Sequence, residues 1–109
     1  MSCLFCSIAT HEIESKIRFE NDEFVAFDDI NPTAKVHILI VPKKHIHSIA
    51  VLEDSDSNLI GKLILVARDL ARELGIDQSG YRLIFNSGPD AGQLVDHLHL
   101  HLIGGQKLE

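Results

Sequence analysis

Residues 95–105 read VDHLHLHLIGG, with His97, His99 and His101 at every second position and Leu98, Leu100 and Leu102 between them. Imidazole titrates near neutrality, so it can act as nucleophile, proton carrier or metal ligand. Side chains alternate across a strand, so the three rings share one face and the three leucines the other, turned toward a core. Along a strand, neighbouring rings would lie about 6.6 Å apart, close enough for each to address a different part of one ligand. Three readings stand: a surface strand that happens to carry histidine, a three-histidine zinc site, and a row with divided roles. A tetrahedral ion needs ligands that converge on one point, which one flat face of a single strand offers poorly.

The elements that must hold this row are legible around it. In EDSDSNLIGKLILVARDLARELG (53–75), Leu59, Ile60, Leu63, Ile64, Ala67, Leu70, Ala71 and Leu74 recur with helical spacing. Ser55 or its acidic neighbours can cap that helix, Gly75 can end it, and Gly61 weakens its first turns. FVAFDDI (24–30) and VHILIVP (36–42), with Asn31–Pro32 between, read as strands, as do YRLIFN (81–86) and HLHLHLI (97–103). IRFEN (17–21) predicts a further strand, and the first fifteen residues a short helix. NSGPDAGQ, before the histidine row, is a Gly/Pro loop of the kind that lines ligand sites. The expectation is an α+β fold: about five largely antiparallel strands, one long helix and a short N-terminal helix.

The chain has 109 residues, 45% of them hydrophobic and 24% charged, which suits a single globular domain over 1–109 without staples. A net charge of −6, with Lys43–Lys44 as the one compact basic pair, argues against a nucleic acid polymer as partner. It leaves room for one small phosphorylated ligand where donors converge. No apolar run approaches the roughly 20 residues of a membrane span. MSCLFCSIATHEI lacks the marks of a signal peptide, so a cytoplasmic, reducing location is expected.

HLHLHLIGG, with NSGPDAGQ before it and HILIVPKKHI much earlier, resembles the histidine triad (HIT) family, and most closely its nucleotide-binding phosphoramidase branch. The likeness runs from LFCSI to the Gly-Gly pair. It implies the HIT fold, a homodimer, and cleavage of purine nucleoside phosphoramidates, derivatives of nucleotides such as AMP or GMP. By that resemblance His99 is the nucleophile and forms a nucleotidyl-histidine that water then hydrolyses. His101 donates to the phosphate oxygens, and His37 assists the leaving group. Backbone amides of Ala91, Gly92 and Gln93 serve as phosphate donors, with Asn86 nearby. Related dinucleoside polyphosphate hydrolases and nucleotidyl transferases share the superfamily, but the transferase triad ends in glutamine. A regulatory nucleotide-binding module with little turnover is a further alternative.

Cys3 and Cys6 form a C-x-x-C pair. Residues alone leave three readings: a redox pair, two unrelated thiols, or half of a zinc site. The resemblance implies structural zinc on Cys3, Cys6, His45 and His97, which would take His97 out of the catalytic row. His47 and His11 are expected at the surface. The likeness also makes Asp29, in AFDDINP, the ribose ligand, and Phe5, Ile8, Ile13 and Ile30 the apolar slot for the base. As hydrophobic residues, those four are equally expected in a core.

Two positions depart from the family. Leu94 stands where serine is common, and Asp96 where an uncharged residue is common. The chain stops at GGQKLE, where some members carry a longer tail that shapes leaving-group choice; the final Leu-Glu is a candidate cloning remnant.

Overall fold

The computed structural model describes residues 3–109; Met1 and Ser2, the start of the segment read for a leader, lie outside them. The elements are helix α1 (Leu4–Ala9), strands β1 (Ile17–Glu20), β2 (Phe24–Asp28) and β3 (Val36–Pro42), helix α2 (Ser57–Glu73), and strands β4 (Tyr81–Ile84) and β5 (Leu100–Gly104). They form one five-stranded sheet in the order β1-β2-β3-β5-β4, antiparallel at every pairing.

The period of two decides what each face of the sheet carries. Phe24 and Ala26 of β2, Ile38 and Ile40 of β3, and Leu100 and Leu102 of β5 pack into one apolar cluster with Leu63, Ala67, Leu70 and Ala71 of α2. The opposite parity, Val25, Phe27, Leu39 and Val41, meets Phe5, Ile8 and Ala9 of α1 in a second cluster. Covering both faces explains why β2 and β3 read as nearly continuous apolar runs. Each leucine fully buried under α2 contributes about 2 kcal/mol.

Helix α2 begins with a 3₁₀ turn, Asp54–Asp56, where Asp56 Oδ2 accepts from the Glu53 amide at 3.0 Å. Its end is a Schellman motif: Gly75, at φ +73°, donates to Arg72 O at 3.1 Å, and Ile76 donates to Ala71 O at 3.0 Å. Ile64 departs from the expected stripe and is 41% exposed, because it sits 100° round the helix from Leu63.

The strand expected from residue 97 begins three residues later, at Leu100. Before it the backbone bends: the His97 amide donates to Val95 O, and the Leu98 amide to Ile46 O instead of to β3. The Gly-Gly pair after the triad has a steric cause. A Cβ on Gly104 would lie 3.0 Å from Ile76 Cδ1 and 3.3 Å from Tyr81 Cβ, and Gly105 has φ +81° beside Val36. A larger residue at 104 would need Ile76 and Tyr81 to give way, and the backbone at 105 favours glycine.

Candidate functional site

The histidine row divides where the backbone bends. His97 is fully buried, and its Nε2 lies 2.8 Å from the carbonyl of Pro42. A carbonyl only accepts, so Nε2 carries the hydrogen and Nδ1 presents a lone pair. Nδ1 faces Cys3 Sγ at 3.4 Å, Cys6 Sγ at 3.5 Å and His45 Nδ1 at 3.2 Å, while Cys6 Sγ lies 3.3 Å from His45 Nδ1. Bonds of about 2.3 Å to sulfur and about 2.05 Å to nitrogen, set tetrahedrally, put nitrogen–nitrogen edges near ~3.4 Å and sulfur–nitrogen edges near ~3.6 Å. The observed spacings fall close to these, so Cys3, Cys6, His45 and His97 can hold a metal ion. Burial pushes the His97 imidazole below its ordinary range, which favours the neutral, ligating form. Burial, then the neighbouring Cys3, pushes the Cys6 thiol up. A divalent cation would reverse that preference and favour the thiolates.

His99 turns to the other side of this cluster. Its Nδ1 lies 2.8 Å from the carbonyl of His97, so by the same argument Nδ1–H donates and Nε2 is left with a free lone pair. Phe5 packs edge-on to it, ring centroids 5.1 Å apart and planes at 83°, and so limits how the ring can turn. Phe5 also lies 6.0 Å from the His97 ring. Phe5, one of the two residues between the cysteines, therefore joins the cysteine–histidine cluster to His99.

His101 follows on β5. The Thr33 amide donates to His37 Nδ1 at 3.1 Å, which leaves His37 its hydrogen on Nε2. That nitrogen lies 3.0 Å from His101 Nδ1, so His101 accepts there and carries its hydrogen on Nε2. His101 Nε2 is the one buried side-chain nitrogen or oxygen without a partner among the described residues. Its ring centroid is 4.9 Å from that of His99. A lone pair on one ring thus stands beside an unpartnered N–H on the next. Burial first, then repulsion by His99 and His37, pushes the His101 pKa down to about 4, with Asp29 opposing.

Both rings line a cavity of about 320 Å³ whose wall includes Phe5, Ile8, Ile13, Asp29, Ile30, Asn86 and Gly92. Phe27 and Leu39 complete its floor. They were not singled out from the sequence, though their parity with His37 on β2 and β3 was a usable signal. Asp28 is held by Arg18 through two bonds of 2.8 Å. Asp29 accepts only from the Asn31 amide through Oδ1, with Oδ2 3.3 Å from His37 Nε2. Of the two acids, Asp29 is the one with capacity for a ligand.

Two placements differ from what the sequence suggests. Neither Ala91 nor Gln93 lines this cavity, and the amides of Ala91, Gly92 and Gln93 already donate within the loop, to Gly88 O, Pro89 O and Gly88 O. The 3₁₀ turn Pro89–Ala91 uses them, so in this arrangement they are not free phosphate donors. The Gln93 side chain instead braces the loop: Oε1 accepts from Gly88 N at 2.8 Å, and Nε2 donates to His47 O at 2.7 Å and Val95 O at 3.0 Å. His37 is buried behind His101 and does not line the cavity, so it reaches a ligand there through His101 and not directly. Leu94 is 93% exposed in the cavity wall. His47 and Asp96 face solvent 3.4 Å apart, and His11 pairs with Glu20 at the surface.

Residues 2–108 match the family described as scavenger mRNA decapping enzyme C-term binding. The chain is 42% identical over 103 residues to an uncharacterised HIT-like protein of Synechocystis, covering 94% of this chain and 90% of that one. The chain belongs to the histidine triad family. Its fold is that of a HIT family hydrolase from Legionella pneumophila, with a TM-score of 0.98, 45% identity, and coverage of 99% and 96% of the two chains. A histidine triad nucleotide-binding protein from Candida albicans is similar at a TM-score of 0.84 and 32% identity, over 99% of this chain and 85% of that one. Among the described residues, no helix is long and apolar enough to cross a membrane.

Proposed function

We propose that this HIT protein is a phosphoramidase: it hydrolyses purine nucleoside phosphoramidates, or related nucleoside monophosphate derivatives, through a nucleotidyl-histidine on His99. The observation that carries this reading is the pairing of ring states in one cavity. His99 offers the Nε2 lone pair, because its Nδ1 is tied to the His97 carbonyl. His101 offers an unpartnered Nε2–H. The His99 nitrogen attacks phosphorus, the bond to the amine breaks, and the electron pair leaves with the amine, which takes up a proton. His101 donates to a phosphate oxygen, where charge develops. Water then attacks the phosphorus of the adduct and frees His99, so one difficult displacement becomes two easier ones.

Asp29 receives the ribose hydroxyls, and Phe5, Ile8, Ile13 and Ile30 flank the base. An apolar slot of this kind fits a purine without strict choice between bases. Asn86 stands near the phosphate. Zinc is the ion proposed for Cys3, Cys6, His45 and His97; its role is to hold α1, and with it Phe5, against His99. A homodimer is supported by the exposed Ile64, Leu65 and Leu83 and by β4, which pairs only with β5 at the sheet edge. One domain over 1–109 and a cytoplasmic setting complete the reading.

Leu94 favours one alternative, a nucleotide-binding module with little turnover, since an exposed leucine in the cavity wall offers no hydroxyl. Steady-state hydrolysis of a fluorogenic adenosine phosphoramidate by the wild type and His99→Ala separates the two. The enzyme reading expects a fall of at least about 10³-fold in the variant. Equal inertness of both proteins, with AMP still bound, would establish the binding module.

A further inference from the structure

Asp29, His37 and His101 bring one carboxylate oxygen and two ring nitrogens within 4.8 Å of one another, a donor set that also resembles a two-histidine, one-carboxylate metal site. The backbone decides against a metal. The Thr33 amide donates to His37 Nδ1, so neutral His37 keeps its hydrogen on Nε2, the atom that would have to ligate. What the three residues share is a hydrogen. His37 Nε2–H bonds to His101 Nδ1 at 3.0 Å, and Asp29 Oδ2, 3.3 Å from the same nitrogen, stands within reach as a rival acceptor.

These acceptors compete, and the outcome fixes the state of His101. When the hydrogen goes to His101 Nδ1, that ring must hold its own hydrogen on Nε2, facing the cavity. When it goes to Asp29, His101 Nδ1 loses its donor and is free to carry the hydrogen itself, and Nε2 then presents a lone pair to the phosphate. We propose that ribose binding sets the tautomer of His101: hydroxyls engaging Asp29 withdraw it from His37, and the released N–H locks His101 as a donor to the phosphoryl group. Asp29 is thus a positioning residue for His101 as well as a ligand for ribose. This rests on the reading of Asp29 as the ribose ligand. Supporting it, Asp29 is the group that opposes the downward shift of the His101 pKa, so the carboxylate already acts on that ring.

The consequence is that the diol raises kcat and does not merely lower KM. A wrong histidine tautomer costs up to about 10⁴-fold in a catalytic triad; a biased tautomer population here should cost about tenfold or more. The test is nitrogen-15 NMR of the histidine rings at saturating AMP and at saturating 2′,3′-dideoxy-AMP, for the wild type and Asp29→Asn. Asparagine keeps the Oδ1 that accepts from the Asn31 amide, so the turn survives. The expected result is that AMP drives His101 to the Nε2–H form, dideoxy-AMP does not, and Asp29→Asn gives the same His101 signals with both. Identical His101 signals for both nucleotides in the wild type would overturn the coupling. So would dideoxy phosphoramidates that raise KM with kcat unchanged. The NMR readout needs no turnover, so a wild type inert toward every phosphoramidate that still shows the nucleotide-dependent difference would sink the phosphoramidase reading while sustaining the coupling.

Discussion

The Gln93 side chain makes a sharper prediction than any catalytic residue, because its three bonds have unambiguous directions. Gly88 N–H can only donate, and the carbonyls of His47 and Val95 can only accept, at 2.8, 2.7 and 3.0 Å. Gln93→Ala removes all three. At about 1 kcal/mol net per bond, the loss is about 3 kcal/mol, since the freed groups lie near enough to the surface for water to replace part of the bonding. Gln93→Glu is the more telling change. It keeps an oxygen for Gly88 but turns a second oxygen toward two carbonyls, so it loses two bonds and adds repulsion, and at pH 7.5 it should cost at least as much as alanine. Protonation restores one donor. The folded-state pKa of the new carboxyl is therefore raised, the folded chain binds more protons than the unfolded one below that pKa, and stability relative to the wild type recovers as pH falls toward 5. Urea denaturation of the three proteins at pH 7.5 and pH 5 measures this. A glutamate variant as stable as the wild type at pH 7.5, or one whose deficit fails to shrink at pH 5, would refute the assignment of Gln93 as the brace of the cavity loop.

The remaining predictions concern the metal cluster and His101. The wild type should carry about one zinc per chain by elemental analysis, and Cys6→Ser well under half of that. A metal held at 1,000 times its Kd contributes about 4 kcal/mol, so chelation should lower the melting temperature markedly. If the ion only braces α1, turnover should persist at temperatures where the chelated protein is still folded; abrupt loss there would make the ion part of the chemistry. His101 is pushed down to about 4, first by burial. The unfolded chain takes up a proton near pH 6.5 and the folded one only near 4, so stability falls as pH drops through that window. The full shift corresponds to about 3 kcal/mol, and the ring's remaining exposure brings this to about 1–2 kcal/mol. His101→Gln, which cannot protonate, should narrow the wild type's stability loss between pH 7.5 and 4.5 by that amount; parallel curves for the two proteins would show that the ring is already protonated or fully solvated.

Parity explains why so much of the fold was legible from residues alone. Leu98, Leu100 and Leu102 pack under α2, with the histidines on the other side, as a period of two requires. The same rule sorts β2 and β3 between the two apolar clusters. The clustering of Cys3, Cys6, His45 and His97, spread over more than ninety positions of sequence, followed from a family pattern; no local signal carries it. Where periodicity stops, so does the local signal. A bend at His97, set by an amide that bonds to Ile46 and not to β3, delays β5 by three residues, and alternation of residue types cannot reveal which carbonyl an amide will choose. The bonding of the loop amides was hidden for the same reason: a Gly/Pro composition announces a turn, but not that the turn uses its own N–H groups.

Hydrogen placement lay furthest from the sequence, and it decides the chemistry. Three histidines at equal spacing are chemically alike on paper. In the fold, the Pro42 carbonyl fixes the hydrogen of His97, the His97 carbonyl fixes that of His99, and the Thr33 amide fixes that of His37, whose Nε2–H bonds to His101. Three backbone groups on different segments thereby leave one ring with a lone pair toward the cysteine–histidine cluster, one with a lone pair at the cavity and one held by the His37 N–H. None of those three groups is specified by a side chain, so a histidine row on a chain with the same motif but a different backbone path at residues 33, 42 or 97 would not divide its labour in this way.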